Sequence, residues 1–242
     1  MKWSYEARIQ RAAELIPRHP AAAEILEFYR DLASFQQPIF ERLLARGETD
    51  LRALEPYFSP LMELLSQRGP EGLAGQVCLN AELLQAAWED DLKDPYARFA
   101  ARVLLQPYAE SLASRGDVQP QPESKVCPFC SAWPVAGVLR GEGDGGKRWL
   151  LCSLCGREWP FRRVLCPGCA EEDKDKLPIY KAAGFDSVRV DACDTCRTYL
   201  KSVDLTVDGH IVPVVDEIAT VALNIWAEEH GYSKLEINLL GM

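Results

Sequence analysis

Eight of the nine cysteines fall into four Cys-x-x-Cys pairs: Cys127 and Cys130, Cys152 and Cys155, Cys166 and Cys169, and Cys193 and Cys196. A turn of this kind points two sulfurs the same way, and two turns brought together supply the four thiolates of a tetrahedral metal site. Cys130 and Cys152 are separated by 21 residues and Cys169 and Cys193 by 23, each close to a two-knuckle ribbon spacing, so the pattern occurs twice. Two metal ions are therefore expected, each held by four sulfurs. One such pair could arise by chance or serve as a redox dithiol, but four of them at matching spacings point to metal. Sequential pairing is expected, although joining first with third and second with fourth satisfies the same ligand count. Zinc and iron both accept a thiolate cage, so the spacing does not choose between them. A ribbon this small has little core of its own, and metal would contribute about 10 to 16 kcal/mol per site, by analogy with small zinc domains.

Other candidates for chemistry are weaker. Cys78 stands beside Val77 and Leu79 in a stretch with helical periodicity and is expected to be a core residue without a role. His19, His210 and His230 have no ligand spacing and are expected on the surface. The first ribbon carries Arg140, Lys147, Arg148, Arg157, Arg162 and Arg163 against Glu142, Asp144 and Glu158, with Trp149 and Trp159 between them. Basic residues interleaved with aromatics suit single-stranded nucleic acid, a protein-docking face or a solvated ribbon surface. No phosphate loop and no local Cys-His signature appears, and closed four-sulfur sites leave no open coordination position, so no enzyme is expected.

The elements that must position the cysteines follow from composition and periodicity. The chain has 242 residues, 48% of them hydrophobic and 26% charged, the balance of a folded globular protein. No apolar run of about 18 residues could span a bilayer, and the start of the chain mixes charged with apolar residues where a signal peptide needs a continuous apolar run. A cytoplasmic location and no membrane insertion are expected, and a reducing compartment argues against disulfides. The formal charge is −9. It becomes about −13 once eight thiols ionise around two divalent ions, which disfavours general nucleic-acid binding.

The predicted fold class is α+β. Residues 1–117 read as a helical bundle, with Ile9, Ala12, Ala13 and Ile16 opening a three-and-four spacing that recurs through Tyr29, Leu61 and Leu84. Pro38 and Pro107 fall inside these helices and mark either kinks or new first turns. Residues 116–124, GDVQPQPES, with Val118 their one large apolar side chain, read as a boundary. Beyond them come a first four-cysteine metal ribbon at 125–165, including the turn GEGDGG, and a second at 166–210. A C-terminal helix and tail occupy 211–242, with Val215, Ile218, Ala222, Ile225 and Trp226 expected on one side and Gly231 as the stop.

With the knuckles placed, the order of segments resembles the bacterial formate dehydrogenase accessory protein family, FdhE. The resemblance rests on CPFC followed by Pro134, on RWLLCSLCGREW and RRVLCPGC, and above all on CDTCRTYLKSVD together with the terminal EEHGYSKLEINLLG. LRALEPYFSPLMELL in the helical half adds lightly to it. The resemblance implies two rubredoxin-like or zinc-ribbon-like modules after a helical domain, with all eight knuckle cysteines as ligands and iron favoured over zinc. It also implies a cytoplasmic maturation factor that contacts the catalytic subunit of formate dehydrogenase without turning over formate. Ser131, Ala170 and Arg197 stand where a rubredoxin-like turn often has glycine, and the chain before the first helix is short for the family. Two other classes compete, a rubredoxin-like electron carrier and, less favoured, a nucleic-acid-binding ribbon. The helical faces could also form a homodimer.

Overall fold

The computed structural model describes residues 4–117, 119, 121–142 and 145–242. Val118 and Pro120 of the boundary segment, and Gly143 and Asp144 at the tip of the GEGDGG turn, lie outside the described residues.

Five helices form the first layer: α1 Tyr5–Leu15, α2 Ala23–Arg46, α3 Phe58–Arg68, α4 Ala81–Trp88 and α5 Pro95–Arg115. The starts of α1, α4 and α5 are set by short polar caps. Ser4, Asn80 and Asp94 each accept a hydrogen bond from the backbone N–H three residues on, at 3.2, 2.7 and 2.7 Å. Both internal prolines sit within continuous helices. Pro38 faces solvent, where water can serve the carbonyl that lost its donor. Pro107 is buried and deprives the Val103 carbonyl of a partner; Gln36 Nε2 from α2 donates to that carbonyl at 2.8 Å. The buried Gln36 thus makes an uninterrupted α5 compatible with its proline.

The second layer is one sheet. Strands β1 Pro134–Glu142, β2 Gly145–Cys152 and β3 Glu158–Phe161 form an antiparallel ribbon, and β4 Ile179–Tyr180, β5 Val188–Ala192 and β6 Thr198–Asp204 form another. The two ribbons are fused: β1 pairs parallel with β6 through Gly137 with Ser202, Val138 with Val203 and Leu139 with Asp204. The strand order is β3-β2-β1-β6-β5-β4, and the short β7 Ser233–Lys234 adds to β6. Gly137 makes the junction possible, because a Cβ there would fall 2.2 Å from Ser202 Oγ.

The expected C-terminal helix is two helices, α6 Pro213–Ala219 and α7 Val221–Glu229. Thr220 breaks them, its hydroxyl donating back to the Asp216 and Glu217 carbonyls at 3.1 and 3.0 Å. The break changes the helical phase. Val215 and Ile218 are buried as expected, but Ala222 and Ile225 face solvent, and Leu223 and Ala227 are buried in their place. Helix α6 lies between the layers, touching α1 and α2 on one side and β1 and β6 on the other. Arg11 on α1 holds Asp216 bidentately at 2.6 and 3.0 Å. The fully buried Lys201 of β6 reaches Glu217 Oε1 at 2.9 Å, and Glu217 also accepts from Lys234 and Asn238. One carboxylate serves two ammonium groups here, so burial prevails at Lys201 and lowers its pKa to about 8, while Glu217 falls to about 2 despite its burial because both lysines face it.

Candidate metal centres

All four knuckles share one backbone turn. The N–H of the first cysteine donates to the carbonyl five residues on: Cys127 to Ala132, Cys152 to Arg157, Cys166 to Glu171 and Cys193 to Thr198, at 2.8 to 2.9 Å. The residue after each second cysteine takes a left-handed conformation, with φ of 61° at Ser131, 64° at Gly156, 66° at Ala170 and 57° at Arg197. Glycine tolerates this region best, and three of the four turns adopt it without one. At Arg197 the side chain is held by hydrogen bonds to the His230 and Gly231 carbonyls and by the Tyr232 ring, 4.0 Å from its guanidinium carbon.

The sulfurs gather in two groups of four, Cys127, Cys130, Cys152 and Cys155, and Cys166, Cys169, Cys193 and Cys196, each with all sulfurs within 4.8 Å of one another. Sequential pairing is thus the observed arrangement, and the crossed alternative is not. Within the groups Cys127 and Cys155 are 3.6 Å apart, Cys130 and Cys152 3.3 Å, and Cys166 to Cys196 and Cys169 to Cys193 3.7 Å. These distances are far too long for disulfides. Four sulfurs about 2.3 Å from a central ion form a tetrahedron with edges of about 3.8 Å, so both groups fit one tetrahedral ion each.

The environments of the two groups differ. In the first, Cys127, Cys152 and Cys155 are at most 2% exposed, packed with Ala109 and Ala113 of α5 and with Leu150, Trp159 and Phe161 of the sheet. Arg157, which follows the Cys152–Cys155 turn, donates to the Ala113 and Gly116 carbonyls at the C-terminus of α5 and lies over the Phe129 ring. Behind the same turn, Arg8 of α1 and Glu110 of α5 form a buried ion pair at 2.9 Å. In the second group Cys166 and Cys193 are buried, Cys196 is half-buried and Cys169 is exposed.

The thiols do not share one acidity. Hydrogen bonding from Cys130 and Cys152 pulls Cys127 far below its ordinary value, while burial pushes Cys152 up. In the second group burial lifts Cys193 to about 12; at Cys196 burial is outweighed by hydrogen bonding to Thr198, which holds the thiol at about 7. Such unevenness is what a compact set of thiols gives when it cannot hold four negative charges without a cation.

The remaining candidates divide. Cys78 is exposed, not in the core. Residues 77–80 are extended and not helical, so side chains alternate and Cys78 turns outward between the buried Val77 and the half-buried Leu79. His210 and His230 are exposed, and His19 is half-buried against Phe185; none joins a ligand group. Apart from the exposed Arg163, the arginines of the first ribbon are not an open basic face. Arg140 Nη2 donates to both Glu158 carboxylate oxygens at 2.6 and 2.8 Å, Arg162 pairs with Glu123 and Glu172, Arg148 and Trp159 are buried, and Arg157 caps α5. Sequence reasoning missed Glu110, Lys201 and Glu217; the one available signal was a lysine inside the apolar strand pattern of TYLKSVD.

Comparison with known proteins agrees with this geometry. A family model described as "FdhE, central domain" matches residues 126–163, and one described as "FdhE, C-terminal domain" matches residues 164–240. Protein FdhE homologs of Aquifex aeolicus and Pectobacterium carotovorum are each 26% identical to this chain. The alignments cover 98% of the chain in both cases, with 95% and 87% of the relatives. The crystal structure of the FdhE protein from Pseudomonas aeruginosa has the same fold, with a TM-score of 0.74 at 21% identity over 99% of this chain and 96% of that one. No helix among the described residues is long and apolar enough to cross a membrane.

Proposed function

This chain belongs to the FdhE family, and from that premise we propose that it is a non-catalytic formate dehydrogenase accessory protein of the cytoplasm. It binds the catalytic subunit and assists its assembly. Each four-cysteine group holds one metal ion, iron by family resemblance, with zinc the alternative. The observation that carries this reading is the pair of complete four-sulfur groups inside the segments matched by the two family models.

A metal bound there supplies a cross-link between knuckles and, if it is iron, a one-electron couple. The chain's own residues do the rest. The Cys127 and Cys152 knuckles, with Arg157 and Ala113, clamp the end of α5 onto the sheet, so the helical face and the ribbons present one fixed surface to a client. Beside the second group, Asp194 and Arg197 form an exposed pair next to Tyr232, which suits selective polar docking.

Metal-loaded chain used as bait in cells expressing formate dehydrogenase is expected to recover the catalytic subunit, and Cys193→Ser is expected to weaken that recovery. A client never recovered by the loaded bait would refute the reading. The exposure of Cys169 also favours a second reading, an electron carrier working through the second group. Anaerobic redox titration decides it: a reversible iron couple is required, and a zinc-only protein excludes it.

A further inference from the structure

Next to the second group the open face of the sheet carries a cleft of 180 Å³. Arg148, Arg163 and Lys174 line it, with Leu177 and Ile179 as apolar walls and Asp191 as the one carboxylate. Arg148 is 4% exposed and incompletely satisfied: Nη1 donates to the Leu165 carbonyl at 3.3 Å, Nη2 stands 3.7 Å from Asp191 Oδ2, and Nε has no partner. Asp191 is already engaged by Arg189 Nε at 2.8 Å and by Ser202 Oγ at 2.6 Å. Arg163 and Lys174 are exposed and make no ion pair among the described residues. A chain of formal charge −9 thus gathers three cations around a single carboxylate that Arg189 already engages. Burying an under-satisfied guanidinium is costly, and burial indeed draws the Arg148 pKa down.

Four thiolates around a divalent ion in the neighbouring group would place about −2 beside the cleft. With the Arg189–Asp191 pair cancelling, Arg148, Arg163 and Lys174 against this −2 leave one positive charge, which calls for a monoanion. A guanidinium offers paired N–H groups that match a planar carboxylate, and Leu177 and Ile179 suit a short apolar stem behind it. The volume is below that of ordinary small-molecule pockets, which start at about 300 Å³.

We propose that this cleft is a carboxylate-binding site, taking either a free short-chain monocarboxylate or the acidic side chain of a polypeptide on Arg148, with Arg163 and Lys174 at its rim. The inference stands on the cleft and does not depend on which client the protein serves.

The test follows the Arg148 Nε–H signal by ¹⁵N NMR in the full-length, zinc-loaded chain, titrated at constant ionic strength with acetate, phosphate, chloride or a blocked peptide carrying one aspartate. A saturable shift with acetate identifies the free-carboxylate source, and one with the peptide alone identifies the polypeptide source. The double variant Arg163→Met/Lys174→Met changes only exposed side chains. It is expected to weaken binding tenfold or more while keeping two metals and the native circular dichroism spectrum. No saturable shift with acetate or peptide, an equal response to chloride, tighter binding of phosphate than of acetate, or undiminished binding in the double variant would each overturn the proposal.

Discussion

The two four-cysteine groups have the same backbone turns and nearly the same spacing, yet the fold surrounds them differently. The first is enclosed by α5, β2 and β3, with three sulfurs at most 2% exposed, and its Arg157 caps the helix that crosses above it. The second sits at the far ribbon with Cys169 at the surface and a cation-lined cleft alongside. Burial makes the first group the join between the two layers, so loss there propagates into the helices. Exposure makes the second local and accessible. The same four-cysteine arrangement therefore stands at a packed junction in one place and at the surface in the other.

The sharpest way to break this contrast is to remove one ligand from each group. Cys127→Ser is expected to cost on the order of 10 kcal/mol, by analogy with structural zinc sites, and to abolish near-ultraviolet dichroism across the chain. Cys169→Ser should leave one metal per chain and the cooperative melting of the helices intact. Helices that melt equally early in both variants would end the distinction. The charges behind each group offer a second comparison. Glu110→Gln removes the carboxylate paired with the buried Arg8 beside the first knuckles and is expected to cost about 3 to 5 kcal/mol in denaturant unfolding. Asp194→Asn, which opens the exposed pair with Arg197, is expected to cost less than about 1 kcal/mol.

Metal removal tests accessibility directly. With excess chelator, elemental analysis over time should show two phases, the second group emptying about tenfold faster than the first, equivalent to about 1.4 kcal/mol in barrier. A single phase would mean that burial does not control release. The smallest effect concerns the turns. Ala170→Gly relieves a left-handed residue and is expected to stabilise the second ribbon by about 0.5 kcal/mol, the gain being partly offset by glycine's unfolded-state entropy. Gly156→Ala should do the reverse at the first group, where a Cβ would also meet Glu110 Oε1 at 3.4 Å.

The cysteine groups and the helical half were legible because their signals are local. Two cysteines three apart fix one turn, and apolar residues at three and four spacings fix a helix face. Errors arose where that locality failed: Cys78 lay in an extended segment flanked by helices, and Thr220 shifted the phase of the C-terminal helix by taking up two carbonyls. Arg157 and Arg162 looked like part of a basic face because their partners lie outside the ribbon, in the α5 carbonyls and in Glu123 and Glu172. The parallel pairing of β1 with β6 has no sequence signature, since it depends on Gly137 meeting Ser202, a residue from the other ribbon. The sequence by itself determined the four knuckle turns, their twofold repeat and the helical character of the first half, all of which follow from neighbours a few residues apart. Tertiary structure alone decided which group is buried and which is reached by solvent, because burial is conferred by distant segments packing together, and here α5 covers only one of the two.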